Sequence, residues 1–166
     1  MQIDAARSRL AIYTEAEGLF SALAHDLELL AANLEGDASE SSAEVRVASS
    51  AIRVTGVMKR GKLDPGVLSA SERDAIERQI KEDILRGEVC ARGTLDGGRA
   101  TIEVATESGR ARIACDVTVS SEGSGKRARG RAEISLAALG APPVRGPMGA
   151  FRVKDRVRVE FDLVFA

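Results

Sequence analysis

This sequence predicts an all-β fold, mainly antiparallel strands with one amphipathic helix, arranged as a sandwich or a barrel. Three observations predict it. Apolar and polar residues alternate strictly over several runs, which is the mark of half-buried antiparallel strands. Turn residues separate those runs at short intervals, so sequential strands are joined up and down. A single segment leaves the period of two for a period near 3.6.

The clearest strand is Arg112–Ser120: Ile113, Cys115, Val117 and Val119 share one face, while Arg112, Asp116, Thr118 and Ser120 share the other. The C-terminal run is as regular, with Val157, Val159, Phe161, Leu163 and Phe165 opposed to Arg156, Arg158, Glu160 and Asp162. Between them, Arg127–Ile134 alternates charged residues with small or apolar ones. Weaker strands are expected at Leu10–Ala16, Asp26–Leu34, Ala43–Ala48, Ile52–Gly56, Glu88–Leu95 and Ala100–Thr106, about nine in all. Asp96-Gly97-Gly98 reads as a tight hairpin and Glu107-Ser108-Gly109 as another turn; Gly36–Ser42 and Ser120–Gly125 read as longer Ser/Gly-rich loops.

The helix is expected over 70–86. Ser69 and Glu72 form a capping box, Ile76, Ile80 and Ile84 recur every four residues, and Gly87 is placed to end the helix. Asp74–Arg78, Glu77–Lys81 and Glu82–Arg86 are spaced to pair on its polar face. Such a helix would lie on the sheet or plug one end of it. Shorter helical turns are expected at Leu19–Ala24 and Leu136–Leu139.

Length and composition agree with one domain spanning 1–166: 44% of residues are apolar, 30% are charged and the net charge is −1. No apolar stretch approaches the ~18 residues of a membrane-spanning helix, and the charge balance argues against a nucleic-acid partner. Aromatic residues are only 3%, too few for a base-stacking platform. The N-terminus shows no basic segment followed by an apolar core, so a cytoplasmic location is expected, or a periplasmic one if a leader precedes Gln2. Cys90 and Cys115 read as small buried side chains, and with a single histidine a metal site is not expected. No cofactor is implied.

The inner faces carry many small residues, among them Ala91, Gly93, Ala100, Ala128, Gly130 and Ala132. Small inward residues leave room for a ligand, unless the helix or a partner subunit fills it; a homodimer stays open. His25 shares a face with Leu27 and Leu29, whereas its neighbour Asp26 points the other way, so the two do not make a catalytic dyad. His25 then reads either as a structural histidine bonded to a loop carbonyl, the plainer expectation, or as a polar anchor for a ligand head group. Lys126–Arg131 reads as a solvated outer face, with Arg127, Arg129 and Arg131 paired to acids such as Glu133, Glu160 and Asp162 across strands. Lys154-Asp155 reads as a turn salt bridge, and Gly146–Gly149 as a turn rather than a phosphate loop.

Several short stretches resemble the YceI-like polyisoprenoid-binding family. They are the opening Ile3–Leu10, the stretch Gly18–Leu27 with its Ala24-His25-Asp26-Leu27, and Leu68-Ser69 with the helix to Leu85. Gly140-Ala141-Pro142-Pro143 followed by Gly149–Val157, with Val153-Lys154-Asp155 at its centre, looks like the family's closing pattern. The sequence departs from the family at Met58–Leu63 and at Glu88–Gly93, where an aromatic-containing strand is usual. The resemblance implies an extended lipocalin-like barrel around an amphiphilic isoprenoid or lipid ligand. It implies a non-catalytic carrier, with Ile12, His25, Leu27, Leu29, Ile113, Val117, Ile134, Val159 and Phe161 expected to line the lumen. Two other readings stand beside it: a ligand-free structural or interaction barrel, and a small-molecule hydrolase or isomerase using His25.

Overall fold

A computed structural model of the chain describes residues 1–18 and 24–166. Thirteen strands are present among them: β1 (Arg9–Thr14), β2 (Ala16–Glu17), β3 (Leu27–Ala31), β4 (Glu35–Ala38), β5 (Ser42–Ala48), β6 (Ile52–Lys59), β7 (Lys62–Asp64), β8 (Glu88–Asp96), β9 (Arg99–Ala105), β10 (Arg110–Glu122), β11 (Gly125–Ser135), β12 (Arg152–Val153) and β13 (Arg156–Phe165). Eleven form one antiparallel sheet in the order β4-β5-β8-β9-β10-β11-β13-β1-β3-β6-β7, and β12 pairs with β2.

The sheet curls on itself because two of its strands bend. β3 runs on into β4 after three residues, and β5 runs on into β6 through a 3-10 turn at Ser49–Ala51. At the bend, the Ala32 N–H donates to the Ala51 carbonyl. One half of this bent hairpin pairs with β8, the other with β1. The N-terminal residues also bridge β4 to the end of β13: Gln2 lies opposite Asp37 and Ile3 opposite Phe165. Both strands at the extremes of the ladder, β4 and β7, are short, which limits the unpaired edge they offer.

The hairpins follow the turn chemistry. Asp96 pairs with Arg99 around Gly97 and Gly98, both at positive φ (55° and 87°), the geometry of a type I′ turn. Three expected loops or strands differ. Ser120–Gly125 is no long loop, because β10 and β11 continue until Glu122 faces Gly125. Within Gly36–Ser42, the polar run Glu35–Ala38 is a strand, since β5 on one side and Met1–Ile3 on the other take up its backbone groups. β7 and β12 are too short to show alternation and are defined by their partners alone.

The helix starts where expected. Ser69 accepts a bond from the Glu72 N–H and Glu72 accepts one from the Ser69 N–H. The α-helix spans Ala70–Gln79 and then widens into a π turn at Ile80–Ile84, where the Leu85 N–H reaches the Ile80 carbonyl. The wider turn brings Leu85 onto the same buried cluster as Ile76, Ile80 and Ile84, against Leu29, Ile52 and Val54. The expected pairs along the helix are not among the ion pairs of the described residues. Glu77 instead turns to the sheet, accepting from the Val54 N–H at 3.0 Å and facing Arg53 at 3.7 Å. Arg86 donates to the Glu82 carbonyl rather than to its carboxylate. Leu136–Leu139 is a turn closed by the Leu139 N–H on the Leu136 carbonyl, and the turn expected at Leu19–Ala24 falls mostly outside the described residues.

The outer face is laced with ions. Arg127 grips Asp162 with two bonds of 2.6 and 2.8 Å, Arg129 adds a third at 3.1 Å, and Arg92 bonds Glu44. Lys154 pairs with Glu15 and not with its neighbour, because Asp155 accepts from the Ser135 hydroxyl and the Ala137 N–H. Both cysteines are free thiols. Cys115 is buried against Ala100 and Ala132, but Cys90 is only half-buried and sits out of phase with the inward Val89 and Ala91. Burial raises both thiols above the ordinary cysteine range, so neither is poised as a nucleophile.

Candidate functional site: an apolar cavity inside the barrel

The sheet and helix enclose a cavity of about 520 Å³. Strand register explains its wall. Leu29, Ile12 and Val159 stand side by side across β3, β1 and β13, and Val159 faces Ala132 of β11. On the far side, Ile113 faces Ile102 of β9, which faces Gly93 of β8. Runs of two or three bulky aliphatics are therefore interrupted by a small residue around the circumference, and the small ones widen the space.

All nine residues expected on the inner face border the cavity. Leu29 and Ile134 are buried; Ile12, Leu27, Ile113, Val117, Val159 and Phe161 are half-buried; His25 is exposed. A half-buried isoleucine or valine in the middle of a barrel wall means that its free surface faces internal space. Phe161 reaches across the sheet because Gly130 lies opposite it: a Cβ on Gly130 would come within 2.4 Å of the ring. Gly130 thus makes room for the ring rather than for a ligand.

Apart from Gln79 on the helix, the polar groups of the wall sit toward its ends. Ser39–Ser42 of the β4–β5 turn, Thr94 and Lys126 form one end, where the Lys126 ammonium lies 3.6 Å from Glu40. Thr14, His25 and Arg145 belong to the other. His25 stands just before β3, is exposed, and makes no hydrogen bond to another described residue. The carbonyl expected to hold it is therefore absent among those residues, and Asp26 bonds the Ala16 N–H instead.

Some of the wall escaped the sequence reading. Lys126 belongs to the inner face with Ala128 and Ala132, a phase that the period of two already contained but that its basic neighbours concealed. Arg145, Phe151 and Val153 come from an irregular segment with no periodicity to read. Ile76, Ile80 and Ile84 belong to the wall because the helix lies across the opening between β6 and β8. Among the described residues, no group of three His, Cys, Asp or Glu side chains is placed to share a metal ion.

The fold and its interior define a class: an antiparallel β-barrel, with one helix laid across it, around an apolar cavity with polar mouths. No protein-family model matches the chain, and no curated protein does. Among solved structures it is similar to the crystal structure of Burkholderia cenocepacia BcnA, with 14% identity, 99% of each chain covered and a TM-score of 0.66. At that identity the likeness shows a shared fold over the whole chain.

Proposed function

We propose that this protein is a non-catalytic carrier of the YceI-like, lipocalin-type kind, holding the apolar chain of a long amphiphile, isoprenoid or lipid, inside the barrel. The observation that carries the reading is the half-burial of Ile113, Val117, Val159 and Phe161 on an inward face. Water against such a wall finds few partners, so displacing it with a hydrocarbon chain is favourable. Removing roughly 400 Å² of ligand surface from water would gain ~10 kcal/mol at ~25 cal/mol per Å². Ordering and association costs take several of these, and micromolar affinity remains within reach. The volume lies inside the ~300–1,000 Å³ range of small-molecule sites. The described residues bring no nucleophile–base pair together along the wall, which favours holding over chemistry.

The test is to fill the space from inside. Ile113→Trp and Val159→Trp should weaken uptake of a neutral fluorescent probe such as N-phenyl-1-naphthylamine while the variants stay folded. Folded variants that take up the probe as the parent does would put the site elsewhere. If both variants unfold, the interior has no space to give, and the carrier reading falls.

A further inference from the structure

The charged residues of the cavity wall are few and uneven. They are His25, Glu40, Lys126 and Arg145. Lys126 and Glu40 face each other at one end and cancel. His25 and Arg145 stand at the other end, and among the described residues no carboxylate lines that end of the wall. Arg145 has no ion-pair partner among the described residues, and residues 19–23 (Leu-Phe-Ser-Ala-Leu) carry no acid. Its backbone is fixed by a bridge to Arg152, whose own guanidinium is already spent on Glu17 at 2.7 Å. Other charges stand near this mouth but outside the cavity wall: Glu17 bonds Arg152, Glu15 pairs with Lys154, and Asp26 accepts from the Ala16 N–H. Glu72 feels His25, but its carboxylate accepts the Ser69 N–H and hydroxyl, and it lies outside the cavity wall.

Resting on the carrier reading, we propose that the cavity selects amphiphiles with an anionic head group, carboxylate or phosphate, seated at the mouth formed by His25 and Arg145. The apolar chain runs inward past Leu27, Ile12 and Val159. The guanidinium supplies a permanent charge and a planar pair of donors, the geometry that matches a carboxylate or phosphate oxygen pair. The imidazole adds a hydrogen bond. An uncharged hydroxyl head would offer the guanidinium a single oxygen and leave its charge unmatched. At the opposite end an anion would meet a lysine already facing Glu40.

The experiment displaces N-phenyl-1-naphthylamine with three ligands of one chain length: dodecanoic acid, dodecyl phosphate and dodecan-1-ol. The acid and the phosphate should compete about three- to tenfold better than the alcohol at low salt, the range of a charge-assisted bond at a half-open site. The gap should narrow at high salt. Whichever anion competes better identifies the source of the head group. Arg145→Gln should abolish most of the preference, His25→Gln part of it, and Lys126→Gln none. Equal competition by acid and alcohol would overturn the anionic assignment while the carrier reading stands. A preference that survives Arg145→Gln would overturn the assignment to this mouth. No probe uptake by the parent protein would overturn the carrier reading beneath both.

Discussion

The flank of the barrel under the helix and the wall formed by β10, β11 and β13 are built from the same aliphatic residues and use them differently. Under the helix, Leu29, Ile52, Val54 and Ile80 retain only 2–8% exposure. On the strands away from the helix, Ile113, Val117, Val159 and Phe161 are half-buried although they also point inward. In the first region the helix packs on the strands, and Leu29, Ile52 and Ile80 show the cavity only what little surface is left; in the second the cavity alone faces the strands. The contrast teaches that an inward phase in a strand is not the same as a place in the core. What faces the strand decides which it is, and a pattern of two cannot report on that.

Substitutions separate the two regions, and the largest effect belongs to the helix. Ile80→Asp would bury an unpaired carboxylate against Leu29 and Val54, and should lower unfolding free energy by about 3 kcal/mol or more in urea titration. A loss under about 1 kcal/mol would mean that the helix is not a true second layer. Truncation then sharpens the contrast. Ile80→Ala should cost ~2–4 kcal/mol, as packed-core isoleucines do, whereas Ile113→Ala should cost under about 1.5 kcal/mol, because part of its surface has no packing to lose. Equal costs would show that both regions are core.

The smallest effect lies on the outer side of the same wall. Asp162 is held below the ordinary carboxylate range, first by its bonds to Arg127 and then by Arg129. A carboxylate with a depressed folded value adds stability that is complete above its unfolded value, near ~4, and drains away as pH falls through the folded value. Its side chain is about 31% exposed, so screening keeps the contribution under about 1 kcal/mol. Asp162→Asn should therefore be slightly less stable than the parent at neutral pH. That gap should close as the titration is repeated below about pH 4. A gap that widened in acid would contradict the assignment.

Much of the architecture was legible because it is local. The alternation over 112–120 and 157–165, the glycine pair at 97–98 and the capping box at Ser69 each state their own geometry, and the structure places them as read. The strand at Glu35–Ala38 was not legible, because its polar run is held as a strand by its partners, β5 on one side and the N-terminal residues on the other. The π turn after Gln79 was hidden for a related reason: a spacing of four fits Ile76, Ile80 and Ile84, and only the demand to seat Leu85 as well widens the helix. For the cavity, the phase of each wall residue and the presence of small residues were readable, but the size of the space was not. That follows from the bends at 32–34 and 49–51, which set the curvature of the sheet and carry no periodic signal. His25 shows the same limit: its side could be read, its lack of a bonding partner among the described residues could not.

Whether the inner wall shelters an apolar chain, as we propose, is decided by native mass spectrometry of protein purified without detergent or denaturant. The expected spectrum contains a population heavier than the polypeptide by the mass of a lipid-sized molecule, released on collisional activation and reduced in Ile113→Trp. Protein stripped of this molecule should take it back. A clean polypeptide mass, together with failure of the protein to retain any added long-chain amphiphile, would contradict the proposal.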